Sequence, residues 1–189
     1  MDQAITAEPE RVRIQLSARA AGPHTEDDGK AGEAEQSVAQ NDWRGELSKA
    51  TCEVFEVMVG TSLTVPPEPR PPFIPDFAAM VGIAGSLCGL VSIRTTSDCA
   101  RRITAKMLGD DGAGAAEAAQ DAFGEVCNMI AGSFKGRISG LADGCALSVP
   151  TVIFGRDFTL FSLARGQHYE VNFSFEDNPL SVSLDLHSK

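Results

Sequence analysis

The longest helical pattern in the chain lies between about residues 115 and 139. Apolar residues recur there every three to four positions, the spacing that places side chains on one face of an α-helix. This apolar stripe consists of Ala119, Phe123, Val126, Cys127, Ile130, Phe134 and Leu141. The sequence therefore predicts a long amphipathic helix whose apolar stripe packs on the core.

Two further helices are predicted earlier in the chain. Residues 42–59 repeat apolar side chains at helical spacing, with Asp42 as the N-cap and Gly60 as the stop. Ser97 is expected to cap a short helix that ends near Gly109.

Strand patterns occupy the middle and the end of the chain. Residues 77–95 are dominated by small and β-branched residues and predict a hairpin that turns near Gly85. Apolar and polar residues alternate over 168–175 and 180–187, so each strand is expected to have one solvent-exposed face. Residues 176–179 are predicted to form the turn between the two strands. Together these elements predict an α+β fold, an antiparallel sheet with two long helices packed on one face.

Three segments are predicted to lie outside these elements. Residues 1–40 have no aromatic residue and carry eight acidic against four basic residues, which is typical of a disordered acidic tail. Residues 41–189 are then expected to form one domain. Prolines exclude a helix from 65–75, so this stretch is predicted to be a stiff connecting loop, and a glycine-rich loop is predicted at 110–114.

Charge and composition narrow the classes of partner. A net charge of −10 and a pI near 4.7 argue against nucleic acid and against an anionic membrane as partners. The five cysteines form no CxxC pair and the three histidines have no zinc-ligand spacing, so no metal site is predicted. Without an apolar run or a secretion signal, we expect a cytoplasmic protein with reduced thiols.

Polar and small residues occupy the face of the long helix opposite the apolar stripe. They are Asp121, Glu125, Asn128, Gly132 and Ser139. Glu125 and Asn128 are three residues apart, so their side chains are neighbours that point into solvent. Glycine inside a helix costs about 0.5–1 kcal/mol relative to alanine. Gly124, Gly132 and Gly136 therefore either leave room for a docking partner or permit tight packing inside the protein.

A family resemblance appears at these residues. The segment 121–132, DAFGEVCNMIAG, followed by Leu-Ser-Val-Pro at 147–150, resembles the signature of the CheX/CheC/FliY family of chemotaxis phosphatases. In that family an Asp or Ser precedes a Glu by four positions, an Asn follows the Glu by three, and a Pro comes later. The matching residues here are Asp121, Glu125, Asn128 and Pro150.

The first helix distinguishes the types within that family. Members with two active sites repeat the Glu-x-x-Asn pattern there. In this chain the residue three positions after Glu46 is Lys49, and the residue three positions after Glu53 is Glu56. Neither position holds an Asn. The sequence is therefore most similar to the single-site CheX type.

The resemblance implies a protein phosphatase that hydrolyses the aspartyl phosphate of a CheY-like response-regulator receiver domain. It assigns Asn128 to aiming the attacking water and Glu125 to pairing with the receiver's lysine, with Asp121 and Gly132 as weaker candidates for docking. Mg²⁺ is expected on the receiver, so no cofactor of the chain's own is predicted. A homodimer is also implied.

Two other functions compete with this interpretation. Related folds occur in flagellar switch proteins, so a non-catalytic module that binds the same receivers is the main alternative. A domain that binds a small molecule through the hairpin glycines is the third. The presence of both Glu125 and Asn128 favours catalysis over binding alone.

Overall fold

The computed structural model describes residues 42–66, 73–109, 116–156, 158, 160 and 166–187. The predicted acidic tail, the centre of the proline-rich stretch and the predicted loop at 110–114 lie outside these ranges. Within them, no helix is both long and apolar enough to cross a membrane. All five cysteines are described and are free thiols.

The first helix has the predicted boundaries but changes its winding near the end. α1 spans Trp43–Val54 and continues as a π-helical turn over Phe55–Val59. Asp42 caps the helix as predicted, because its Oδ1 accepts a 2.9 Å hydrogen bond from the backbone N–H of Gly45. Gly60 ends it at φ +67°, a conformation that glycine adopts readily.

The second helix begins with a different cap from the one predicted. α2 spans Ser97–Leu108, and its N-cap is Thr96, whose Oγ1 accepts from the N–H of Cys99 at 3.3 Å. The prediction that Ser97 caps this helix is therefore wrong. Ser97 is the first helical residue, and its N–H donates to the carboxylate of Asp76. Serine and threonine both cap helices well, so the residue type alone could not separate the two positions.

In the part of the chain that the structure describes, a third helix and six strands complete the fold. α3 spans Ala116–Arg137. The strands are β1 Phe77–Gly85, β2 Gly89–Thr95, β3 Cys145–Leu147, β4 Thr151–Phe154, β5 His168–Phe175 and β6 Asn178–Leu186. They form one sheet in the order β3-β1-β2-β6-β5, and β4 pairs with β1 beside β3. All of these pairs are antiparallel.

Both predicted hairpins are confirmed in their pairing. The predicted solvent-exposed face is wrong for β6, because Ser181 and Ser183 on that face are buried. In the first hairpin, Phe77 pairs with Thr95 and the strands stay in register to the turn. In the second, the turn is tighter than predicted, because Phe175 already pairs with Asn178. The two residues between them, Glu176 and Asp177, have φ values of +47° and +63°, as a two-residue type I′ turn requires.

The apolar core lies between one face of the sheet and the helices. Every residue of the predicted apolar stripe is at most 2% exposed. α1 packs beside α3, where the rings of Trp43 and Phe134 have centroids 6.0 Å apart. Alternate residues of the strands, such as Val81 and Val182, belong to the same buried cluster. The predicted α+β fold with two long helices on one sheet face is confirmed.

The packing of α3 makes a prediction for stability. Replacing Phe134 by alanine is expected to lower the free energy of unfolding by about 3–5 kcal/mol, because the side chain is fully buried and would leave a cavity. Urea unfolding followed by circular dichroism measures the change. Phe154→Ala is the control, since Phe154 is 58% exposed and should lose much less. Equal losses in the two variants would contradict the core described above.

Candidate functional site

α3 turns the predicted pair toward solvent. Glu125 is exposed and Asn128 is half-buried, whereas Val126 and Cys127 between them are buried. Neither the carboxylate of Glu125 nor the amide of Asn128 makes a hydrogen bond or ion pair with another described residue. Because three residues separate them, their Cβ atoms are about 5–6 Å apart. A carboxylate and a carboxamide therefore stand side by side, both free to bind a partner.

A short segment packs against the same helix. This flanking segment, residues 147–152, connects the end of β3 to the start of β4. A Cβ added to Gly124 would lie 3.2 Å from Cγ2 of Val152 and 3.4 Å from Cβ of Pro150. Gly124 therefore permits tight packing within the protein. The interpretation that it leaves room for a docking partner is wrong for this residue.

The other end of the flanking segment reaches Gly132. A Cβ at Gly132 would lie 4.0 Å from Cδ1 of Leu147, an ordinary van der Waals distance. Gly124 and Gly132 are the i−4 and i+4 neighbours of Asn128, so the three residues form one row along the helix. The flanking segment therefore passes along the row on which Asn128 stands. The docking role of Gly132 stays a prediction.

Asp121 is exposed one turn before Glu125. An acidic residue can stabilise a helix by interacting with its dipole, but only within the first turn. α3 begins at Ala116, and the acidic residue in its first turn is Glu117. The helix dipole therefore does not account for Asp121, whose docking role stays a prediction.

The C-terminal end of α3 is tied to α1 by an ion pair. Nη2 of Arg137 lies 2.6 Å from Oε2 of Glu53, and the hydroxyl of Ser133 donates to the same carboxylate at 2.8 Å. The hydrogen bond from Arg137 holds the pKa of Glu53 below its usual value. Glu53 is one of the two glutamates on α1 that are not followed by an Asn three residues later, and its carboxylate bridges α1 to α3. This use agrees with a single site on α3.

The cysteine nearest the pair faces away from it. Burial raises the pKa of the Cys127 thiol to about 12, and that of Cys99 to about 11. A cysteine nucleophile must be a thiolate, and both of these thiols are protonated at neutral pH. Neither thiol is therefore suited to act as a nucleophile, and the roles of Glu125 and Asn128 stay predictions.

The shape of the site limits what it can do alone. Glu125 and Asn128 stand on the solvent-facing side of a helix, whereas small-molecule sites are enclosed clefts or cavities. Among the described residues, no group of three His, Cys, Asp or Glu is arranged to hold a metal ion. The pair can orient a water and accept hydrogen bonds.

Sequence reasoning did not find the contact between the flanking segment and α3. The position of the segment is set by Ser148, whose N–H donates to the carbonyl of Gly82 at 2.9 Å. Its Oγ accepts from the Gly82 N–H, also at 2.9 Å, across 66 residues of sequence. The only signal was the Leu-Ser-Val-Pro run, which carries no information on what it contacts.

Comparison with protein families identifies a match that contains the site. The family described as chemotaxis phosphatase CheX matches residues 77–174. This span contains β1 to β4, α2, α3 and the flanking segment, and therefore both Glu125 and Asn128. Comparison with curated proteins gives no match.

Solved structures share the fold. CheX from Vibrio vulnificus superposes with a TM-score of 0.68 at 21% identity, over 78% of this chain and 97% of that one. CheX from Desulfovibrio desulfuricans gives 0.66 at 27% identity, over 78% and 100%. The CheX-CheY-BeF3-Mg²⁺ complex from Borrelia burgdorferi gives 0.66 at 22% identity, over 78% and 99%. The chain thus has the fold of these CheX structures.

Two glycine variants test the packing of the flanking segment. Gly136→Ala is expected to raise the free energy of unfolding by about 0.5–1 kcal/mol, because alanine favours the helix. Its Cβ would meet no atom within 4 Å. Gly124→Ala should raise the free energy of unfolding by less than Gly136→Ala, or lower it, because the added Cβ crowds Val152 and Pro150. Chemical denaturation measures both, and equal gains would argue against the close contact.

Proposed function

This chain belongs to the CheX family of chemotaxis phosphatases, and from that premise we propose that it accelerates hydrolysis of the aspartyl phosphate on a CheY-like receiver domain. The observation that carries the proposal is the pair Glu125 and Asn128, one turn apart on the outer face of α3. Neither side chain has a hydrogen-bond or ion-pair partner among the residues that the structure describes. A pair on an exposed helix face suits a substrate that brings its own pocket, and a folded receiver does so. The Borrelia burgdorferi structure, in which CheX is in complex with CheY, BeF3 and Mg²⁺, supports this class of partner.

Most of the reacting groups belong to the receiver. It supplies the phosphoaspartate, a bound Mg²⁺ ion and a lysine. Phosphoryl transfer passes through a loose transition state, so catalysis consists mainly of positioning and electrostatic stabilisation. Water attacks the phosphorus, and the bond from phosphorus to the aspartyl oxygen breaks. The aspartate leaves as a free carboxylate, and both protons of the water leave with the released phosphate. This chain needs no nucleophile and forms no covalent intermediate.

Asn128 is the residue that we assign to the attacking water. A carboxamide donates and accepts hydrogen bonds and carries no charge, so it can hold a water in line without repelling the phosphoryl oxygens. Its side chain is already free of internal hydrogen bonds to the described residues. One well-placed group of this kind contributes about 10²–10³ in rate.

Glu125 is assigned to anchoring the receiver. Its carboxylate is exposed and would accept a charge-assisted hydrogen bond from the receiver's lysine. This contact exists in the bound complex both before and during the reaction. Removal of Glu125 should therefore weaken binding more than it slows the chemical step.

The setting of the reaction is part of the same proposal. We propose the cytoplasm, where two-component receivers act, and a homodimer, which the family resemblance suggests. Sedimentation of the purified chain tests whether it is a homodimer.

A non-catalytic receiver-binding module is the competing function. It differs in one respect: the receiver binds but loses its phosphate no faster.

The Asn128→Ala variant tests the catalytic role. With a phosphorylated, Mg²⁺-loaded receiver, kcat for phosphate release is expected to fall by about 10²–10³ while binding is retained, because the amide acts only on the attacking water. Phosphate release gives kcat, and binding to the BeF3-loaded receiver gives Kd. Glu117→Ala, an exposed residue on the same helix, is the control. Weaker binding with an unchanged kcat would show that Asn128 has been given the wrong role.

The Glu125→Ala variant tests the anchoring role. Its KM and Kd for the receiver are expected to rise more than its kcat falls. The same two assays measure both effects. If the wild-type chain leaves receiver decay unchanged, the phosphatase proposal fails and the non-catalytic module replaces it.

A further inference from the structure

We propose that Val149 is a docking residue of the site, a preformed apolar contact that meets the receiver beside its phosphorylated pocket. This inference rests on the proposed function and deepens it, because it names a side chain that sets affinity and takes no part in the chemistry. Val149 lies in the flanking segment and is 83% exposed.

The backbone on both sides of Val149 is held in place. On one side, Ser148 exchanges two hydrogen bonds of 2.9 Å with the backbone of Gly82 in β1. Its hydroxyl also donates to the carbonyl of Val149 at 2.9 Å. On the other side, Pro150 has a fixed φ and lies against α3 at Gly124. Because this backbone is already fixed, Val149 loses little conformational freedom when a partner binds.

The position of Val149 follows from the two contacts of the flanking segment with α3. Leu147 reaches the helix at Gly132, one turn after Asn128, and Pro150 reaches it at Gly124, one turn before. Val149 comes between Leu147 and Pro150 in the chain. It therefore lies alongside the stretch of helix that carries Asn128. A receiver that brings its phosphate to Asn128 has to cover this part of the surface.

Exposure of a single apolar residue is common and proves nothing by itself. Location separates Val149 from the other exposed large apolar residues of the described chain. These are Val57, Met58, Val65, Ile74, Leu108 and Phe154. None of them lies on α3 or in the flanking segment. Val57, which is 73% exposed on the π turn of α1, is the matched control because it has the same side chain.

The test replaces each valine by aspartate. In Val149→Asp, Kd for a CheY-like receiver loaded with BeF3 and Mg²⁺ is expected to rise about tenfold, because a charge replaces a buried apolar contact at the interface. KM for the phosphorylated receiver should rise in parallel, while kcat stays within about twofold of wild type. Val149→Ile should retain both values. Val57→Asp should change neither, and equal thermal unfolding of all variants excludes misfolding.

The outcomes separate this inference from the function on which it rests. Unchanged Kd and KM in Val149→Asp, together with the loss of turnover in Asn128→Ala, would overturn the docking role and leave the phosphatase proposal standing. A fall in kcat without a change in KM would also overturn it. A wild-type chain that neither binds the receiver nor speeds its decay would overturn both.

Discussion

Burial of the apolar stripe of α3 is the interaction on which the site depends. Phe123, Ile130 and Phe134 are fully buried, and burying one such side chain contributes about 1.5–3 kcal/mol. Turning the helix about its axis would expose several of them at once. Since an α-helix repeats every 3.6 residues, a fixed stripe also fixes the opposite face. The packing that stabilises the fold is therefore what points Glu125 and Asn128 at water.

A second constraint comes from the flanking segment, which ties the site to the sheet. Ser148 holds the segment to Gly82 of β1, and Gly124 lets Pro150 approach α3 closely. The glycine weakens the helix slightly, but the contact that it permits joins two elements far apart in sequence. The site thus has a helix on one side and a fixed loop on the other. This arrangement favours a partner that is itself a folded protein.

Sequence reasoning found what depends on period and local residue type. The stripe of α3, its polar face, both hairpins and the Asp42 cap all follow from neighbours within a few residues. It failed where two similar residues compete, as at Thr96 and Ser97, and where winding changes without a break in the apolar pattern, as in the π turn after Val54. It could not assign Gly124, because the atoms that surround it come from residues 150 and 152. Contacts between residues so far apart in the chain produce no periodic pattern in the sequence.

The most direct test is a structure of this chain bound to a CheY-like receiver loaded with BeF3 and Mg²⁺. If the outer face of α3 acts as proposed, the Asn128 amide will lie within hydrogen-bond distance of the BeF3 group or of a water beside it. The Glu125 carboxylate will contact the receiver's lysine. A complex in which the receiver binds elsewhere and leaves both side chains in solvent would contradict the central claim.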